Sequence, residues 1–271
     1  MEKEWQKPPA CSTARRARLA WVAGLALACV PGIAGRALAA DECASRPVEV
    51  ADIEDDAAIR LRDETVVQMS GIEPPSSPAA LQALRDAMAG PLGEEGVSLR
   101  GESPPDRYNR IHAMVMLADG LSLQWNLVAD GVARVRLLPG EHLCGEKLLI
   151  AEDAARIGHF GLWAGHEYAI WRADDPSLLE QIGLYALVEG RVVSVGAGSR
   201  IVFLDFGHNW RRDFTVMVAA SEADRFAAAG KKLESLANHT VRVRGVVEEN
   251  NGPAIRVDNP EAIEVLDGDV Q

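Results

Sequence analysis

The stretch Asp106-Arg107-Tyr108-Asn109-Arg110-Ile111-His112-Ala113-Met114-Val115-Met116-Leu117 leads through Asp119-Gly120 into Leu127-Val128-Ala129-Asp130-Gly131-Val132-Ala133-Arg134-Val135. A polar entry gives way to an apolar run at 111–117, which reads as a β-strand. Asp119-Gly120 is a tight-turn signal. Residues 123–130 read as a helix, with Gly131 placed just past its end. A strand, a turn and a helix follow one another closely, so the chain mixes the two kinds of element.

Upstream, 48–69 breaks into short alternating runs, Ala58-Ile59-Arg60-Leu61 and Val66-Val67-Gln68-Met69, around an Asp63-Glu64 turn. That pattern predicts a hairpin. Leu81, Leu84 and Met88 recur at helical spacing over 79–89, with Gly90 as the expected stop. Downstream, 143–157 predicts a helix closed by Gly158, and 168–182 reads as a polar bridge containing Asp174, Asp175 and Pro176. A second β block follows, with strands expected at 184–195, 200–206 and 214–219 and a short helix at 221–229. Further strands are expected at 240–248 and 254–257, around the turn Asn250-Asn251-Gly252-Pro253. Five strands with a helix after the third is the order of an OB-type barrel. The expected class is mainly β with α: an OB-type barrel carrying helices, then a second OB-like barrel.

The first residues read as a targeting leader. Arg15, Arg16 and Arg18 precede an apolar run at 19–33, and Ala37-Leu38-Ala39 is a small-x-small cleavage site. This gives a leader at 1–39, a first domain at 40–168, a linker at 169–182 and a second domain at 183–271, in a periplasmic or secreted protein. A retained leader would instead anchor the chain in the membrane. The whole chain carries a formal charge of −12, and the part after residue 40 keeps 22 basic against 38 acidic residues, or −16. Such a field opposes non-specific binding to a polyanion. Protein or peptide is therefore the favoured partner over nucleic acid. Cys43 and Cys144 survive cleavage and form the expected disulfide, since an exported pair meets an oxidising compartment. No Cys-x-x-Cys or His-x-x-x-His spacing suggests structural zinc.

The opening stretch, with Leu148-Leu149-Ile150-Ala151-Glu152 and Gly161-Leu162-Trp163 after it and Val67-Gln68-Met69-Ser70-Gly71-Ile72-Glu73-Pro74-Pro75 before it, resembles the thermonuclease (staphylococcal nuclease-like) family. The resemblance covers about 48–164, and the second block resembles an OB-like tail. It implies a small β-barrel with helices. Where the active site survives, it also implies calcium-dependent hydrolysis of DNA or RNA phosphodiesters.

That chemistry needs carboxylates for the cation, a carboxylate to activate water, and guanidinium groups on the phosphate. The family's first metal-binding Asp falls at Ala57; Asp56 is adjacent, but strand alternation would point it to the opposite face. The second metal-binding Asp falls at Glu73, which keeps the charge on a longer arm. The general-base Glu falls at Ser76 and the first phosphate-binding Arg at Gln68; the second is present as Arg110. One position is kept, one is approximate and three are lost. The expectation is a non-catalytic binding or structural module that needs no cofactor. The alternative is a calcium-dependent endonuclease with a rearranged carboxylate set, in which Glu73 and Asp56 hold the metal. Arg110 also has a structural reading, paired with Asp106 or Glu73, and Tyr108 reads as packing or as a ligand contact. Trp210, Arg211 and Arg212 read either as a stacking and phosphate-contacting loop or as a core tryptophan beside arginines paired to Asp205 and Asp213.

Overall fold

A computed structural model describes residues 45–138, 145–165, 168–209 and 211–267. The expected leader, the Cys43–Cys144 pair and Trp210 lie outside the described residues. No helix among the described residues is long and apolar enough to cross a membrane.

The first half contains β1 (Ser45–Pro47), β2 (Val50–Ile53), β3 (Ile59–Leu61), β4 (Val66–Met69) and β5 (Ile72–Glu73). Helix α1 (Pro78–Leu92), β6 (Ser98–Arg100), β7 (Arg110–Met116), α2 (Leu123–Ala129), β8 (Arg134–Val135) and α3 (Gly145–Ile157) follow. The second half contains β9 (Ile170–Arg172), β10 (Tyr185–Arg191), β11 (Ser194–Ala197), β12 (Ile201–Asp205) and β13 (Thr215–Ala219). It ends with α4 (Ala223–Ala228), β14 (Thr240–Asn250), β15 (Gly252–Val257) and β16 (Ile263–Val265).

The class is α+β, with more of the described residues in strands than in helices. The first sheet runs β1-β6-β7-β4-β3-β2, and the second runs β11-β12-β13-β15-β14-β10-β9 with β16 on β14. Each sheet has a helix between two of its strands, α1 before β6 and α4 before β14, and in each the strand before that helix pairs in parallel with a later one (β4 with β7, β13 with β15). In the first sheet β1 and β2 hold the two ends of the strand order; in the second the ends are β11 and β9, and β10, one strand in from β9, leads directly into β11. As hydrogen-bonded ladders, both are open paths rather than closed rings among the described residues.

Several elements differ from expectation for local reasons. Helix α1 continues past Gly90 and Pro91, and the Gly93 N–H closes its last turn on the carbonyls of Ala89 and Gly90 at 3.2 and 3.1 Å. A proline in a final turn forgoes only one hydrogen bond, so it does not stop the helix earlier. The run 184–195 divides into β10 and β11 because Val192 donates to His239 O and Val193 to Asp205 O, which turns the chain from one neighbour to another. Gly190 permits that crossing: a Cβ there would lie 2.5 Å from Ala173 Cβ and 2.8 Å from the Phe206 ring. The bridge 169–182 contributes β9, which pairs in parallel with β10.

Each sheet has its own apolar core, one around Leu84, Leu99 and Leu127, the other around Phe214, Phe226 and Val243. A third cluster, Ala155, Trp163, Tyr168, Tyr185 and Leu187, joins them. Beside it lies a polar junction centred on β8. The Val135 N–H donates to Glu152 Oε1 at 2.6 Å, while the Val135 carbonyl accepts from Tyr185 Oη at 2.8 Å and Arg244 Nη1 at 3.1 Å. Arg244 Nη1 also meets Glu152 Oε2 at 2.6 Å, both side chains being 1% exposed, and its Nη2 meets Glu264. Burial disfavours the Arg244 charge, but Glu152 and Glu264 outweigh it and hold its pKa above the ordinary value.

Breaking a buried ion pair from one side leaves an uncompensated charge and costs about 3–5 kcal/mol. Glu152→Ala should therefore lose about that much in urea unfolding, whereas Glu152→Leu combined with Arg244→Met should lie closer to the parent protein. A Glu152→Ala loss within about 0.5 kcal/mol would remove the pair from any structural role.

Candidate functional site

A hollow opens where β4, β5, β7 and β8 meet the turn between β2 and β3. Asp56, Gln68, Glu73, His112 and Arg136 give it polar character, and Ala57, Met69, Gly71, Ile72, Pro74 and Leu138 line the rest of a cavity of about 200 Å³ that is partly open to solvent.

Sheet register places the first of these groups. Gln68 on β4 lies beside His112 on β7 in the parallel ladder, so both side chains share the hollow's face. The turn before β3 supplies Asp56 and Ala57. The Ala57 N–H donates to Glu54 O at 3.0 Å, and Asp56 Oδ1 accepts from the Ala58 N–H at 3.0 Å. Ala57 takes a φ of 64°, in the left-handed region that costs an alanine about 1–2 kcal/mol. The expectation that Asp56 points away from the site is corrected here. Strand alternation does not apply inside a turn, and Asp56 and Ala57 both line the hollow.

Glu73 and Arg136 come from the antiparallel pair β5–β8. Glu73 stands opposite Arg134, and the Arg136 N–H donates to Gly71 O at 3.0 Å, which sets Arg136 diagonally from Glu73. Long side chains reach each other across such a diagonal. Arg136 Nη1 meets Glu73 Oε2 at 2.6 Å, a short charge-assisted bond. Gly71 must be a glycine: its φ is 82°, and a Cβ there would lie 2.8 Å from Leu148 Cδ1. Arg136 also lies 5.8 Å from the Tyr185 ring, so the hollow touches the second sheet.

The remaining candidates are elsewhere. Ser76 is exposed and does not line the hollow. Arg110 is exposed and turned onto Asp106, with Nε at 2.9 Å and Nη2 at 2.8 Å from Oδ2. Tyr108 is 60% exposed, with the guanidinium groups of Arg107 and Arg110 at 4.7 and 5.1 Å from its ring centre. Glu73 pairs with Arg136 and not with Arg110. In the second sheet, Arg212 approaches Asp213 at 3.4 Å, Arg211 N–H donates to Asn209 Oδ1, and Asp205 accepts from Ser194 and Thr215 hydroxyls.

The calcium ion that the family resemblance implies does not fit these residues. Calcium takes six to eight oxygen ligands. Here one carboxylate is committed to a guanidinium and the other has one oxygen tied to the Ala58 N–H. Among the described residues, no group of three or more His, Cys, Asp or Glu side chains is placed to hold a metal. Asp52 accepts from the Ile53 N–H, Glu54 pairs with Arg60 and Asp55 approaches Arg85, so the neighbouring acids are engaged outside the hollow.

Sequence reading missed Arg136. The available signal was the Arg134-Val135-Arg136 alternation, which sets two guanidinium groups on one side of a short strand. Arg134 is buried and lies 4.6 Å from the Tyr168 ring and 5.2 Å from that of Tyr185. No protein-family model matches the chain, and no curated protein matches it.

Asp106 is held below its ordinary pKa of 3.8, first by the Arg110 N–H, against some desolvation, with help from the Arg110 side chain and the Tyr108 N–H. A depressed carboxyl contributes stability above its unfolded pKa and loses it as pH falls through the folded value. The Tyr108 and Arg110 amide resonances should then move together, with a midpoint below 3.8. Asp106→Ala should abolish that step and increase tryptic cleavage after Arg107 and Arg110 at neutral pH; unchanged cleavage would show that the carboxylate does not order the loop.

Proposed function

We propose that this chain is an exported, thermonuclease-like protein whose hollow has become a non-catalytic binding site, set in the first of two OB-type barrels. The strand order supports the barrels. In both sheets consecutive strands reach opposite sides of the strand order (β1 and β2, β10 and β11), and the strand before a helix pairs in parallel with a later strand, features in keeping with the five-strand OB connectivity. The motifs around Asp106–Arg110 and Val67–Pro75, with the small-x-small site at Ala37–Ala39, support the family and the export.

The observation that carries the loss of catalysis is the Arg136–Glu73 pair at 2.6 Å in a hollow lined by Ala57 and Gln68. Hydrolysis would require a hard cation and a base beside the phosphate, with guanidinium groups arranged to meet the charge of the transition state. The cation's best ligand is neutralised, the base position is Ser76 outside the hollow, and Arg110 is engaged with Asp106. Removing one preorganised donor costs about 10²–10³ in rate. The net charge of −16 after residue 40 favours a protein or peptide ligand over nucleic acid.

The test is cleavage of single-stranded DNA and RNA by the chain from Ala40 onward, in calcium and in EDTA, with Arg110→Ala alongside. The expected result is no metal-dependent cleavage from a folded, monodisperse sample. Calcium-dependent cleavage that Arg110→Ala abolishes would establish the endonuclease with rearranged carboxylates instead.

A further inference from the structure

We infer that the Arg136 guanidinium takes the electrostatic place of a divalent cation against Glu73 and so keeps the hollow closed to calcium; this rests on the non-catalytic reading and gives it a cause. Asp56 and Glu73 bring two negative charges to one hollow, and Gln68 adds a neutral oxygen ligand. Two carboxylates and an amide oxygen are hard ligands of the type a dication takes, with water completing the shell. Arg136 places a unit positive charge on one of those carboxylates at 2.6 Å. A calcium ion entering beside Glu73 would meet that charge a few ångströms away, in a partly buried setting where screening by salt is weak.

The backbone from which Arg136 projects is fixed: its N–H donates to Gly71 O at 3.0 Å, and the next residue back, Val135, is held on both its N–H and its carbonyl by Glu152, Tyr185 and Arg244. The Tyr185 ring stands 5.8 Å from the guanidinium, close enough for a cation–π attraction. The second sheet thus positions the residue that excludes the cation from a hollow in the first. Arg136 has side-chain exposure of 40% and Glu73 of 20%, so the pair is reachable by ions and its exclusion of metal is electrostatic rather than a matter of access.

The experiment is a titration of the purified chain with calcium by calorimetry, and with terbium by sensitised luminescence, without any nucleic acid. Arg136→Gln and Arg136→Met remove the charge, the second keeping an unbranched stem beside Tyr185. Arg136→Lys keeps the charge. The expected result is no binding by the parent chain or Arg136→Lys, a gain of more than about tenfold in affinity for both neutral variants, and loss of that gain when Glu73→Gln is added. Three outcomes overturn the inference: calcium binding by the parent chain as tight as by Arg136→Gln, no gain in either folded neutral variant, or a gain that survives Glu73→Gln. Calcium-dependent cleavage by the parent chain would sink the binding reading whatever the titration gives. A titration without gain sinks only the role given to Arg136.

Discussion

Arg244 carries a full charge at 1% side-chain exposure, and a guanidinium so placed persists only if its charge is met inside the protein. Glu152 from α3 and Glu264 from β16 meet the charge, and the Val135 carbonyl takes a further donor. Glu152 turns its other oxygen to the Val135 N–H, so one carboxylate bridges the arginine of the second sheet and the backbone of β8, which pairs with β5 in a separate two-stranded sheet. Moving either sheet relative to the other would strand one of these charges. Arg242 extends the network to Glu189, Asp153 and Glu264, again joining α3 to β10, β14 and β16.

The same constraint reaches the hollow. Val135 is the fixed point of the junction, and Arg134 and Arg136 flank it with side chains on the same side of a short strand. One is spent on the aromatic pair Tyr168 and Tyr185, the other on Glu73. The hollow's chemistry therefore depends on the second half of the chain, although among the described residues every one that lines it belongs to the first. A single residue of displacement in β8 would turn both arginines to the opposite face, because neighbouring side chains on a strand point to opposite faces.

The elements set by local pattern were legible in the sequence. The β3–β4 hairpin, strand β7, helix α2 and the hairpin β14–β15 follow from alternation, helical spacing and turn residues that act within a few positions. Local pattern did not give β9, which is stabilised by parallel pairing with β10 and lies in a stretch that reads as a polar bridge. Nor did it give the division of β10 from β11, which is imposed by the bonds of Val192 and Val193 to separate neighbours. In the site, the neutral character of Ala57 and Gln68 was legible from residue identity alone, and both residues line the hollow. The direction of Asp56 was not, since the turn conformation there, with Ala57 at a φ of 64°, overrides strand alternation.

The sequence by itself determined the kinds of element, the mixed class and the residue types available to the hollow, because propensity, periodicity and turn chemistry act over a turn or a strand. Tertiary structure decided which charges meet. Glu73 and Arg136 are 63 positions apart, and Glu152 and Arg244 are 92 apart. No local rule pairs residues at those separations. Only the close approach of β5 to β8, and of α3 to β14, brings these groups together, Glu73 and Arg136 in a partly exposed hollow and Glu152 and Arg244 in an interior where an unpaired charge is too costly to keep. In that setting Arg136 became the cation of the hollow.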